Sequence, residues 1–317
     1  LALWLWGNDL AAISALLVFG RMLGTVAHAF VVWSVLPQLL GRLAWRSDLP
    51  AALLRSGGWL LISNVLGPLM GYADRFIVGA FVPISALSYY ATPQEMVMKL
   101  WVLPGALTAV LFPALAAQIA RGERGAAQLC HQALLGLSLI LLPITLGLAT
   151  FAQPLLSIWL GPEFASESAT CLLIFSLGMF VTGLAQLPYT ALQSAGRADT
   201  TAKLHLLELP LFMAALAWAS AQHGIEGAAW VWFARVLGDA VLLFLAAQRI
   251  PLQMGLRLLG HGALRILTLA PLGFAGLLLP GFAAQVGAWL FVCCACLICA
   301  VQALRHRSRT MRISASS

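Results

Sequence analysis

The sequence predicts an all-α membrane protein that crosses the bilayer about nine times. The first observation is composition, because 61% of the 317 residues are apolar and only 9% are charged. Soluble domains carry about 25% charged residues, so a surface this poor in charge must face lipid. The second observation is the length of the apolar stretches, which suits the roughly 20 helical residues that cross hydrocarbon. The third is the placement of basic residues in alternate connections.

Nine apolar stretches separated by short polar connections are the candidate spans. They are residues 11–37, 58–80, 87–118, 129–156, 169–193, 204–221, 227–247, 266–279 and 287–304. Prolines lie inside many of them and are tolerated where neighbours or water satisfy the freed backbone groups. The longest connection, residues 38–57, is too short for a soluble catalytic domain, and no P-loop sequence occurs. The sequence therefore predicts no enzyme activity.

Basic residues mark one side of the membrane. Most of the 18 Lys and Arg residues fall in alternate connections or the tail: Arg42, Arg46, Arg55, Arg121, Arg124, Arg197, Lys203, Arg249, Arg257, Arg265, Arg305, Arg307, Arg309 and Arg312. The other connections carry Glu163, Glu167 and Glu226 instead. By the positive-inside rule, the carboxyl terminus is predicted to lie in the cytoplasm. The net charge of +7 thus follows from topology, and no nucleic-acid partner is expected.

Four of the six cysteines cluster in the last candidate span. Cys293, Cys294, Cys296 and Cys299 include a CxxC spacing, which in other settings indicates metal or redox chemistry. Inside an apolar run we interpret them as small apolar side chains. The histidines show no ligand spacing and no nucleophile motif occurs, so neither a metal nor another cofactor is predicted.

Eight charged residues lie inside the candidate spans, where a charge costs about 2.5–3.5 kcal/mol on insertion scales. They are Arg21, Asp74, Arg75, Glu95, Lys99, Glu208, Arg235 and Asp239. Residues four apart share one face of a helix, which applies to Glu95 with Lys99 and to Arg235 with Asp239. Each such pair is either an ion pair that stabilises the helix bundle or part of a hydrated cavity.

Two arginines need partners beyond their own helices. Arg21 has no acidic residue in its span, and Arg75 points about 100° away from the adjacent Asp74. Both are predicted to line a wet cavity that attracts phosphate or diphosphate, with Glu95 as a candidate partner for Arg75. Four nearby aromatic residues are interpreted as an interfacial belt in preference to sugar-stacking groups: Tyr72, Tyr89, Tyr90 and Trp101.

Residues 57–116 contain the sequence ADRFIVG, a tyrosine-rich start of the next helix, and the sequence LPGALTAVLFPALA. With these elements the stretch resembles the bacterial polysaccharide-biosynthesis flippases of the multidrug/oligosaccharidyl-lipid/polysaccharide superfamily, which export lipid-linked oligosaccharides such as O-antigen units. WLGPEFASES resembles the short outer loop of that family, and LQSAGRADTTAKLH resembles its Gln-x-x-Gly-Arg cytoplasmic turn.

The resemblance implies part of a two-lobe, 14-helix transporter in the cell inner membrane. Residues 1–37 would be the remnant of the first lobe, and 38–57 the cytoplasmic linker between lobes. Residues 58–247 would form the second six-helix lobe, 248–304 two additional helices, and 305–317 a basic cytoplasmic tail. The apolar opening stretch, which stops at Asn8 and Asp9, is interpreted as the end of a helix, so the chain is expected to be truncated at its amino terminus.

The resemblance implies a flippase that moves a polyprenyl-diphosphate-linked oligosaccharide by alternating access. Substrate would be bound by Arg21, Arg75, Lys99 and Arg235, while Asp74, Glu95, Glu208 and Asp239 would balance charge or couple an ion. Membrane lipids, a polysaccharide polymerase and other assembly proteins are the expected partners. The alternatives are a cation-coupled multidrug exporter of the same fold, a membrane polymerase or ligase, and a structural assembly subunit.

Overall fold

The computed structural model describes residues 10–35, 48–121, 125–248 and 261–315, and every regular element in these ranges is helical. The helices are α1 (Leu10–Val35), α2 (Asp48–Phe81), α3 (Ile84–Met98), α4 (Val102–Ala120), α5 (Gly125–Thr150), α6 (Ala152–Leu160), α7 (Pro162–Ser194), α8 (Ala198–Ala247), α9 (His261–Ala275) and α10 (Phe282–Ala315). Short 3-10 turns, Lys99–Trp101 and Gly276–Leu278, follow α3 and α9.

Six helical segments of the described chain are long and apolar enough to cross a membrane. They are Ser14–Val35, Ile84–Ala120, Gly125–Thr150, Pro162–Ser194, Ala198–Ala247 and Phe282–Ala303. Thr268–Leu278 is a shorter apolar helix that matches the eighth predicted span. The prediction of an all-α polytopic membrane protein is confirmed.

Several predicted boundaries differ from the structure. Helix α2 begins at Asp48, well before residue 58, so part of the predicted linker is helical. The fourth predicted span ran through a break at Phe151, where α5 ends and α6 begins. The predicted loop 159–168 is mostly helical, since only Gly161 separates α6 from α7. The opening residues 1–9 and linker residues 36–47 lie outside the described residues.

The chain divides into two compact units, Leu1–Ser56 and Gly57–Ser317. In the first unit, most described side chains of α1 are exposed. In the second unit, α7 is the central helix and packs against α3, α4, α5, α6 and α8. Helices α9 and α10 pack together on α5.

An aromatic chain joins three helices in the core of the second unit. Tyr90 of α3 packs edge-on against Phe175 of α7, with ring centroids 5.1 Å apart. Phe175 packs in the same manner against Trp232 of α8, at 5.2 Å. Edge-to-face geometry suits aromatic rings because the positive ring edge meets the negative face. Through Phe175 these contacts join α7 to both α3 and α8, which also contact each other.

Helix α8 is a helical hairpin. Gly224 has φ 59° and ψ −144°, a conformation that only glycine adopts readily, and it separates two arms. The arms run back along each other, since Nε2 of His205 on the first lies 3.4 Å from Oδ1 of Asp239 on the second. The predicted spans 204–221 and 227–247 therefore correspond to the two arms.

The Gln-x-x-Gly-Arg turn is a helix stop of the Schellman type. At the end of α7, the Arg197 N–H donates to the Leu192 carbonyl at 2.9 Å, and the Gly196 N–H donates to the Gln193 carbonyl at 3.0 Å. Gly196 has φ 72°, the left-handed conformation that this motif requires. The turn ends α7 and directs the chain into α8.

Replacing Gly196 with alanine is expected to lower the free energy of unfolding by about 1–2 kcal/mol, because a Cβ disfavours the left-handed conformation. The cost is conformational, since a Cβ at this position meets nothing within 4 Å. Gly238→Ala is the matched control: its Cβ also meets open space, but the residue is helical, so alanine should be neutral or stabilising. Thermal unfolding in detergent measures both, and equal stability of the two variants would contradict the assignment.

Candidate functional site

The first group of charged residues lies where α2 packs against α3. Only Val82 and Pro83 separate these helices, so the last turns of α2 return along the first turns of α3. Asp74 and Arg75 of α2 consequently face Tyr90, Gln94 and Glu95 of α3.

Asp74 is fully buried and well supplied with donors. The Tyr90 hydroxyl donates to Oδ2 at 3.0 Å, and the Gln94 side-chain amide donates to the same oxygen. The backbone N–H of Arg75 donates to Oδ1 at 2.8 Å. A buried carboxylate is tolerated when its oxygens accept such hydrogen bonds. These bonds also tie α2 to α3.

Arg75 binds two residues of α3 at once. Its Nη1 lies 2.8 Å from Oε1 of Glu95, and its Nε donates to Oε1 of Gln94 at 3.0 Å. The guanidinium also lies over the Tyr72 ring, 5.4 Å from the centroid. The side chain remains 24% exposed. The contact expected between Arg75 and Glu95 is present.

Glu95 is shared between two cations. Besides Arg75, it accepts a hydrogen bond from Lys99 Nζ at 3.2 Å, as the four-residue spacing predicted. Lys99 is 79% exposed and lies in the 3-10 turn after α3. The group Arg75, Glu95 and Lys99 therefore carries net positive charge at an accessible edge of the unit.

The second group lies between the two arms of α8. Arg235 Nε is 3.9 Å from Oε2 of Glu208, and the guanidinium lies 5.5 Å from the Phe212 ring centroid. Both ion-pair side chains are largely buried, at 16% and 12% exposure. Arg235 Nη2 also contacts Sδ of Met70 at 3.7 Å. Because Met70 lies one turn from Asp74, helix α2 borders both charged groups.

Arg235 and Asp239 lie on one helix face, but each has its ion-pair partner on the opposite arm of α8. Among the described ion pairs, Arg235 joins Glu208, and Asp239 joins His205, in both cases across the hairpin. The turn at Gly224 brings the opposite arm closer than the next turn of the same helix. Arg21 lies in the other compact unit, with an exposed side chain on α1, and its place in the site stays a prediction.

Sequence reasoning missed three polar residues of these groups. Tyr90 was assigned to an interfacial belt, but it is fully buried and binds Asp74. Gln94 was not considered, although it bonds to both Asp74 and Arg75. His205 was considered only as a metal ligand. Its position three residues before Glu208 in an apolar stretch was the available signal, because such residues share a helix face.

The fold and these charged groups define a polytopic membrane protein with ionisable groups inside its helix bundle. Residues 9–169 match the family described as "Polysaccharide biosynthesis protein", and the chain belongs to this family. Over 238 residues it is 30% identical to a protein of Shigella flexneri named "Putative O-antigen transporter". That match covers 75% of this chain and 56% of the relative, so the chain spans little more than half of the relative's length. The predicted family is confirmed.

Proposed function

We propose that this chain is part of a flippase that moves a polyprenyl-diphosphate-linked oligosaccharide across the membrane for surface polysaccharide synthesis. Family membership and the name of the Shigella relative support a transporter of this substrate class and not an enzyme. The observation that carries the proposal is the accessible, net positive group of Arg75, Glu95 and Lys99 beside a buried carboxylate. Ionisable groups within membrane-spanning segments are expensive and typically line substrate or ion pathways.

The proposed mechanism is alternating access. Arg21, Arg75, Lys99 and Arg235 bind the anionic head group, while the polyprenyl tail stays in lipid. Guanidinium groups suit diphosphate because they remain charged and donate several hydrogen bonds in a fixed geometry. Asp74, Glu95, Glu208 and Asp239 balance these charges or couple transport to an ion. The partners proposed are a polysaccharide polymerase and other assembly proteins.

The proposed location is the bacterial inner membrane, with the carboxyl terminus in the cytoplasm. The support is the distribution of basic residues, which favours cytoplasmic placement of the connections that hold them. On this orientation Gly196 lies on the cytoplasmic side, while Gly161 and Gly224 lie on the outer side. A head group taken from the inner leaflet would leave the site toward Gly161.

Complementation of a flippase-null strain tests the function. The full-length gene that encodes this chain is expected to restore surface polysaccharide, measured by gel electrophoresis of the extracted polymer. Absence of restoration, despite membrane expression, would contradict the proposal. Drug resistance of an efflux-deficient strain that carries the same gene distinguishes the multidrug exporter from the flippase. Increased drug resistance there, without restored polysaccharide, would favour a cation-coupled exporter.

A further inference from the structure

A groove of about 530 Å³ lies beside the first charged group and has no assigned role. It is lined by Ala91, Thr92, Glu95, Met96, Lys99 and Trp159. Ala91, Glu95 and Lys99 are spaced four residues apart, as are Thr92 and Met96, so the five residues form one stripe along the helix. Trp159, near the end of α6, closes the other side. The volume of the groove falls within the roughly 300–1,000 Å³ typical of small-molecule sites.

The position of Trp159 is fixed from two sides. Helix α6 buries Ala152 and Leu156 in the core, and Gly161 then turns the chain into α7. The start of α7 is held against α3, since Phe164 packs edge-on against Tyr89 with centroids 4.9 Å apart. The groove is therefore built by packed helices and not by a loose connection.

The lining combines an aromatic surface with hydrogen-bonding groups. Trp159 is 59% exposed, so much of its indole remains available for contact. The groove is also lined by Thr92, Glu95 and Lys99, which carry a hydroxyl, a carboxylate and an ammonium group. A sugar ring presents apolar C–H groups on its face and hydroxyls around its rim, which matches this arrangement.

Hydrogen-bonding capacity remains on both charged side chains. A carboxylate has about four acceptor positions, and the described contacts of Glu95 are with Arg75 and Lys99. An ammonium has three donor hydrogens, and Lys99 directs one at Glu95. Sugar hydroxyls both donate and accept, so they can bind each of these groups.

The charges of the groove favour a neutral ring over a diphosphate. The Arg75 guanidinium is bonded to Glu95 and Gln94, which leaves Lys99 as the accessible cation of the lining. Within the lining, the Glu95 carboxylate offsets the charge of Lys99, so the groove itself attracts an anion only weakly. A neutral sugar needs no such attraction.

We propose that this groove binds a neutral sugar ring of the transported saccharide, stacked on Trp159 and hydrogen-bonded by Thr92, Glu95 and Lys99. The inference rests on the proposed function and refines it, because it assigns Lys99 to sugar hydroxyls and leaves the diphosphate to other cations. The chemical class recognised is a hexose within the lipid-linked oligosaccharide, and the groove contributes to the choice of saccharide.

Saturation-transfer NMR on the full chain in lipid nanodiscs tests this inference. The first probe is the oligosaccharide repeat released from the strain's surface polymer, without lipid or phosphate; the second is inorganic diphosphate. We expect saccharide binding by the wild type and by Trp159→Phe, and about tenfold weaker binding by Trp159→Ala. Trp218→Ala is the matched control, because Trp218 is similarly exposed but lies on α8.

Three outcomes would overturn the inference: no saccharide binding by the wild type, equal binding by Trp159→Ala and Trp218→Ala, or displacement of the saccharide by diphosphate. Complementation in cells is read separately. Restored polysaccharide without saccharide binding in the groove would refute the inference and leave the flippase proposal standing. Saccharide binding that depends on Trp159, without complementation, would refute the flippase proposal and keep the sugar site.

Discussion

Arg75→Ala is expected to reduce transport by about tenfold or more while the protein accumulates in the membrane near the wild-type level. The substitution removes the guanidinium that contacts Glu95 and Gln94, and with it the cation proposed to bind the head group. Asp74 keeps its bonds from Tyr90 and Gln94, so no buried carboxylate loses all its donors. Complementation and quantitative blotting measure the two effects.

Arg75→Lys should restore little transport. Lysine carries a point charge on a flexible stem and cannot hold Glu95 and Gln94 in the geometry that Nη1 and Nε provide. Arg197→Ala is the matched control, since Arg197 is also an arginine in an ion pair, with Asp199 at 3.8 Å, but lies at the end of α7. Its removal should leave transport unchanged.

A charge reversal separates substrate binding from bundle stabilisation. The double variant Arg75→Glu with Glu95→Arg keeps an ion pair between α2 and α3 but moves the cation. If Arg75 only joins the helices, the reversal should restore both accumulation and transport relative to either single variant. Accumulation without transport is the result expected of a substrate-binding arginine, and full restoration of transport would count against that role.

Arg235→Met is expected to lower the free energy of unfolding by about 3–5 kcal/mol, because it leaves the buried Glu208 carboxylate without its cation. The double variant Arg235→Met with Glu208→Leu should recover most of that loss, since an apolar pair replaces a buried ion pair at little cost. Thermal unfolding in detergent measures all three proteins. Arg197→Met, which removes a half-exposed arginine, serves as the control and should change stability little.

The same double variant tests the proposed role of Arg235 in transport. It should be stable but fail to complement the flippase-null strain. A stable double variant that transports normally would show that Arg235 acts only inside the hairpin. If Arg235→Met alone is as stable as the wild type, the pairing of Arg235 with Glu208 across the arms of α8 is contradicted.

The membrane fold and the positions of the charged residues within the spans could be predicted from the sequence, because each span is recognised from its own run of apolar residues. The Glu95–Lys99 contact was predictable as well, because the two residues are four apart. The partner of Arg235 was not, since a contact across the turn at Gly224 depends on how far each arm extends before the chain reverses. The length of each arm is set by packing in the core, which cannot be inferred from the spacing of apolar residues.

Contacts between helices account for the remaining differences. The apolar pattern of α3 does not show which of its polar residues faces α2, so Gln94 was overlooked beside the more conspicuous Glu95. Trp159 was placed in a loop because WLGPEFASES resembles the short outer loop of the family. In the structure a single residue, Gly161, separates the two helices, and Trp159 is held by helix packing.

The Gln94 side chain gives the site a directional link. An amide has one accepting end and one donating end, and here the first meets Arg75 while the second meets Asp74. The opposite ends of the Gln94 amide thus bind the two neighbouring charged residues of α2, Arg75 and Asp74. If a bound ligand displaces Arg75, the Gln94 amide oxygen loses its hydrogen bond from the guanidinium. The amide is then held less firmly, and its hydrogen bond to the Asp74 carboxylate weakens. Loss of the Arg75 contact at the accessible edge would in this way reach the buried carboxylate of the adjacent Asp74.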